Sequence, residues 1–193
     1  KQQSRHNSGL PEWQCVGPFD FDRNAASTSY AAGSAHLYTV EQSISNSDVL
    51  YAGGATCGLW KSEDKGLHWT PLFDTELMIN TVYSLEIDFS NSEIVYFSAN
   101  AGDLYKTING GNSYELLYEM SFIKDIVMNP NDNNILYICT EERLYQLNIS
   151  ENNLETLLFG DILELEFHPT ESNIIYIVRR LNDKTEFFKS INS

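Results

Sequence analysis

Positive charge is scarce in this 193-residue chain: 12 lysines and arginines stand against 27 aspartates and glutamates, a formal net charge of −15. Such a balance repels phosphate and argues against nucleic acid and anionic membrane surfaces as partners. Long apolar runs are also missing. No stretch approaches the roughly 18 apolar residues of a spanning helix, so direct membrane insertion is not expected. Cysteine is sparse: Cys15, Cys57 and Cys139 are an odd set without C-x-x-C spacing, and His6, His36, His68 and His168 are scattered. That excludes a full disulfide framework and a zinc site, and no metal or other cofactor is implied. The cysteines read as buried thiols, with a Cys15–Cys57 bridge as the alternative. Aromatics, by contrast, make up 12% of the chain within a 42% hydrophobic content, far too much for a disordered acidic tail.

What is present repeats. Ser47-Asp48-Val49-Leu50-Tyr51, Ser92-Glu93-Ile94-Val95-Tyr96, Asn133-Asn134-Ile135-Leu136-Tyr137 and Ser172-Asn173-Ile174-Ile175-Tyr176 carry one phrase, their tyrosines spaced by 45, 41 and 39 residues. Periods of roughly 40 to 45 residues suit four-stranded propeller blades. Leu85-Glu86-Ile87-Asp88-Phe89 and Leu163-Glu164-Leu165-Glu166-Phe167 alternate apolar and acidic residues, the pattern of strands with one face buried. Polar turns follow, such as Ser90-Asn91-Ser92 and Asn129-Pro130-Asn131-Asp132-Asn133. Next come a strand ending in the repeat tyrosine and a third strand (Leu59-Trp60-Lys61, Leu104-Tyr105-Lys106, Leu144-Tyr145-Gln146, Phe187-Phe188-Lys189). A fourth strand is predicted at His68 to Phe73 and at Tyr114 to Tyr118. The fold class expected is all-β, a propeller of four-stranded antiparallel blades. Only Thr75 to Asn80 hints at a helix.

After the third strand stands Ser62-Glu63-Asp64-Lys65-Gly66-Leu67-His68-Trp69, or Ser-x-Asp-x-Gly-x-x-Trp. A second copy, Thr107-Ile108-Asn109-Gly110-Gly111-Asn112-Ser113-Tyr114, substitutes conservatively. A third, Asn148-Ile149-Ser150-Glu151-Asn152, lacks the glycine and the aromatic, and a fourth starts at Ser190-Ile191-Asn192. In such a spacing Ser62 and Asp64 can accept from turn amides, Gly66 supplies a positive φ, and Trp69 can fold over the turn. Ser62, Asp64, Gly66 and Trp69, with Thr107, Asn109, Gly111 and Tyr114, are therefore structural candidates rather than catalytic ones.

The motif resembles the Asp-box of the bacterial-neuraminidase-type repeat. The run from Tyr51 through Gly58-Leu59-Trp60-Lys61-Ser62 to Leu72 is similar to blades of xyloglucan-hydrolase propellers and of secreted or cell-surface bacterial Asp-box repeat proteins. Trp13-Gln14-Cys15-Val16-Gly17-Pro18 looks like the entry strand of the latter. Through the box alone, the chain also resembles sortilin-type ectodomains and photosystem assembly propellers. The resemblance implies residues 1–12 as an N-terminal extension and 13–193 as about four blades, the N-terminal part of a longer propeller whose ring is incomplete here. A four-bladed ring closed by the Trp13 strand is the alternative.

Enzyme signatures are thin. Sialidases need three arginines and an Arg-Ile-Pro entry motif, which is absent. The carboxylate that xyloglucanases place after the Tyr-Ala strand is missing from Gly53 to Gly58. Asp20-Phe21-Asp22-Arg23-Asn24 resembles the start of a calcium loop, but Ala25 and Ala31 stand where glycine and glutamate belong, so it reads as a solvated acidic loop. Asn148-Ile149-Ser150 is a formal glycosylation sequon. Arg179 and Arg180 read as local charge balance. No catalytic residue is assigned. The expectation is an extracytoplasmic protein–protein interaction module of a Gram-negative bacterium, periplasmic, surface-bound or secreted, in a secretion or assembly complex, with a basic partner protein. A polysaccharide-active hydrolase with catalytic residues outside this segment is the rival, so a glycan stays open as a ligand.

Overall fold

The computed structural model describes residues 36–55, 58–72, 81–100 and 102–191. Every regular element among them is a strand. The first sheet contains β1 (Leu37–Gln42), β2 (Leu50–Gly54), β3 (Gly58–Ser62) and β4 (Thr70–Pro71). The second contains β5 (Leu85–Ile87), β6 (Val95–Ala99), β7 (Asp103–Thr107) and β8 (Glu115–Glu119). The third contains β9 (Ile123–Asn129), β10 (Asp132–Thr140), β11 (Arg143–Asn148) and β12 (Asn153–Phe159). The fourth shows three strands, β13 (Asp161–Phe167), β14 (Ile175–Leu181) and β15 (Lys184–Ser190). Each is an antiparallel meander in chain order.

The turn chemistry is local. In the second, third and fourth blades the polar residue closing the first strand accepts from the amide two residues on: Asp88 from Ser90 at 2.8 Å, Asn129 from Asn131 at 2.9 Å and His168 Nδ1 from Thr170 at 3.3 Å. Such side-chain-to-backbone bonds fix the hairpin's reversal and thereby its register. In the ladder the repeat tyrosines then face Lys61, Lys106, Gln146 and Lys189.

Hydrophobic burial occurs between sheets. Tyr51 and Leu59 of the first sheet pack with Val82, Leu85, Ile87 and Phe97 of the second. Tyr96 and Leu104 meet Ile123, Ile126 and Met128, and Tyr137 and Leu144 meet Ile162 and Leu165. The first strands β1, β5, β9 and β13 touch in sequence. Four radial meanders with their cores in the interfaces form β-propeller blades.

Two expectations need correction. The fourth strands start later than predicted, at Thr70 and Glu115, and in the first blade β4 is only Thr70–Pro71. His68 and Ser113 are held in the preceding turns, where their amides donate to Asp64 and Asn109. The alternation implies an exposed acidic face; Glu164 and Glu166 of β13 are exposed accordingly, but at β5 Glu86 is half-buried and Asp88 buried, because a neighbouring blade covers that face as well. The Thr75 to Asn80 segment, Trp13 to Pro18, Asp20 to Asn24, and the Cys15–Cys57 pair lie outside the described residues. Cys139 is a buried free thiol, as a small hydrophobe would be.

Candidate functional site

The motif residues come together in two matching turns. Ser62 Oγ accepts from the Gly66 amide at 2.8 Å and lies 2.9 Å from Asp64 Oδ1. Asp64 accepts from the His68 amide at 2.8 Å and sits 2.6 Å from its Nδ1. The Trp69 indole donates to the Gly66 carbonyl at 3.0 Å, folding the ring over the turn. In the second copy Thr107 Oγ1 accepts from Gly111 at 2.9 Å and Asn109 Oδ1 from Ser113 at 2.9 Å. Tyr114 donates instead to Leu72 O, 2.8 Å away in the first blade. The His68 amide, then its imidazole, and Ser62 hold the Asp64 carboxyl down at about 2. Asp64 is thus committed to the turn as an acceptor. The third copy keeps only a short reversal, in which Asn148 Oδ1 accepts from the Glu151 amide at 3.2 Å and the Ser150 hydroxyl at 3.1 Å.

A groove of about 460 Å3 runs beside these turns, lined by Lys61, Asp64, His68, Glu93, Gly110 and Asn112. Its cation is engaged: Lys61 Nζ lies 3.0 Å from both Glu63 and Glu93. Burial opposes charge on Lys61, but the two glutamates outweigh it and raise its pKa.

The opposite end, where the first strands begin, carries an aromatic row. Tyr38 stacks on Tyr83 with centroids 4.6 Å apart, and Tyr83 meets Phe122 edge-on at 4.5 Å. The row spans three blades, and Tyr38 remains 50% exposed. At the same end Asp161 joins Lys124 and Arg180, the latter at 2.6 Å, while Arg179 pairs with Glu186 and donates to Phe159 O at 2.8 Å. Both arginines therefore balance local acids, as expected.

The first strands also hold acids that sequence reading missed. Glu41 Oε2 accepts from the Ile87 amide of the next blade at 3.1 Å, and Glu86 accepts from the Met128 amide of the one after. Ser84 donates to Asp125 at 3.1 Å and accepts from the Ile126 amide at 3.0 Å. Burial, with Glu86 and Asp125 adding repulsion, pushes Glu41 up to about 9. Burial and Asp125 raise Glu86 to about 7. Burial raises Asp125 too, with Glu164 and Glu166 adding to it. These carboxyls act as struts between blades. Among the described residues no group of His, Cys, Asp and Glu is arranged to hold a metal ion.

No protein-family model matches the chain, and no curated protein does. Solved structures match in fold. The GH74 enzyme of Niastella koreensis aligns with a TM-score of 0.66 at 18% identity, over 79% of this chain and 27% of its own. A nidogen/laminin complex aligns at 0.64 and 12% identity, over 79% of this chain and 60% of that one. YCF48 bound to D1 peptide aligns at 0.59 and 14% identity, over 80% and 51%. The chain thus spans 27% of the GH74 enzyme and at most 60% of these other propellers. The fold they share with it is the β-propeller.

Proposed function

We propose that the chain is a protein-binding module of the Asp-box propeller class, working outside the cytoplasm in a bacterial secretion, surface or assembly complex. The observation that carries this reading is the Tyr38–Tyr83–Phe122 row, a continuous aromatic strip with a half-exposed end. Rigid aromatic surface is what protein interfaces concentrate at their centres. Two of the structurally similar propellers were solved with protein or peptide partners, laminin and the D1 peptide. The net charge of −15 favours a partner with a basic surface and association that slows as salt rises.

A hydrolase reading has one observation in its favour. Glu86, held near 7, is a carboxyl that could donate a proton at neutral pH. The same group accepts the Met128 amide between blades, which gives it a structural occupation. The test is a stoichiometric complex with a partner purified from the producing cell. Tyr38→Ala is expected to weaken that complex at least about tenfold, as loss of an interface aromatic does, with the hydrodynamic radius unchanged. Turnover of xyloglucan or sialoglycans that stops on Glu86→Gln would instead establish the hydrolase.

A further inference from the structure

The second motif differs from the first at its chemically most reactive place. Where the first reads Asp64-Lys65, the second reads Asn109-Gly110. An asparagine before glycine is open to deamidation, because no Cβ shields the following amide nitrogen from the side-chain carbonyl carbon. Two sets of contacts hold that reaction back in the folded blade. The Gly110 amide, which supplies the nucleophile, is buried and donates to the Glu93 carbonyl of the β5–β6 hairpin at 2.9 Å. The Asn109 side chain is held at both ends: Oδ1 accepts from the Ser113 amide at 2.9 Å, and Nδ2 donates to the Ser113 hydroxyl at 2.9 Å. Attack on Cγ requires both sets to be released.

We propose that Asn109 is a spontaneous modification site gated by the fold, and that the aspartate it yields suits the turn. When the turn opens, the Gly110 nitrogen gives up its proton and bonds to Asn109 Cγ. The Cγ–Nδ2 bond breaks, and ammonia leaves with a proton in place of the one released. Water then opens the cyclic imide. Addition at Cγ restores the peptide bond and leaves aspartate at position 109. Addition at the backbone carbonyl leaves isoaspartate, with one more methylene in the main chain. The first motif shows how the aspartate is held: Asp64 accepts from the His68 amide at 2.8 Å and meets the His68 ring at 2.6 Å. At position 109 a carboxylate would accept from the Ser113 amide, and the Ser113 hydroxyl would turn from accepting to donating. Isoaspartate lengthens the turn and shortens the side chain, so it cannot make the same bonds.

The test incubates the full chain in mildly alkaline buffer, folded and in urea, and follows the peptide after Lys106 by mass spectrometry and ammonia release. The chain in urea is expected to deamidate at Asn109, and the folded chain at least about tenfold more slowly, because only locally opened turns react. Ser113→Ala frees Asn109 Nδ2. It should speed the folded chain about fivefold, the equivalent of one net hydrogen bond, and leave the rate in urea unchanged. Circular dichroism checks that the variant folds. If it does not, Tyr114→Phe, which loses the bond to the Leu72 carbonyl, takes its place with the same expected direction. Asn109→Asp should unfold at a urea midpoint no lower than that of the wild type. Equal rates in the folded and urea-treated chains, or no product in urea, would overturn the proposal. So would a folded variant that reacts no faster than the wild type, or a lower midpoint for Asn109→Asp.

Discussion

Tyr51 of the first blade donates its phenolic hydrogen to the carbonyl of Ser92, 3.0 Å away in the turn of the second. The ring beneath that hydroxyl is fully buried, and Lys61 stands over its face at 5.8 Å. One side chain therefore fills the interface, fixes the height of the next blade and shields a buried cation. Tyr51→Phe keeps the first role and loses the second, which should cost about 1 kcal/mol, with the Ser92 carbonyl left short of a donor. Tyr51→Ala also opens a cavity and should cost about 3–5 kcal/mol. Urea unfolding monitored by tryptophan fluorescence separates the two. Equal losses in both variants would show that the hydroxyl, not the packing, dominates.

Gly111 ties the second motif turn to the first blade. Its φ is +92°, and a Cβ there would lie 2.6 Å from Leu72 Cδ1 and 2.9 Å from the Tyr114 hydroxyl. Both the left-handed backbone and the contact resist substitution. Gly111→Ala is expected to destabilise the chain by about 1–3 kcal/mol. The loss should appear as a lower urea midpoint with an unchanged m-value. A neutral variant would mean that Leu72 yields freely and that the turn does not brace the blades.

The blade period, the turn positions and the strand order were legible because their causes are local. Asp88, Asn129 and His168 each make their bond two residues away, and the repeat tyrosines recur in phase with the ladder. The motif turn was legible for the same reason, since Ser62, Asp64 and Gly66 lie within a span of five residues. The start of the first blade's fourth strand was misplaced because Asp64 retains the amide of His68. The inter-blade acids were not legible. Alternation marks Glu86 as facing away from Leu85 and Ile87, but only the blade arrangement reveals that this second face is covered too. The Tyr38–Tyr83–Phe122 row was equally hidden, because its members belong to three repeats and no shared motif marks them.

Those inter-blade acids set the pH response. Glu41 titrates at about 9 and Glu86 at about 7 in the folded chain, against an ordinary 4.5. Above pH 4.5 the unfolded chain releases these protons while the folded chain keeps them. The folded state then binds more protons, so stability falls as pH rises, through about 7 for Glu86 and about 9 for Glu41, and levels off beyond. Asp64, held at about 2, acts with the opposite sign and weakens the fold only toward stronger acid. The chain should therefore be most stable near pH 4–5, with a urea midpoint that declines steadily from pH 5 to pH 9. Glu41→Gln resembles the protonated acid at every pH, although its amide oxygen must still accept from Ile87. It should flatten the upper part of that decline, most visibly between pH 7 and 9, with little change at pH 5. A wild-type midpoint that rises from pH 5 to pH 9 would show that Glu41 and Glu86 are ionised in the folded blades.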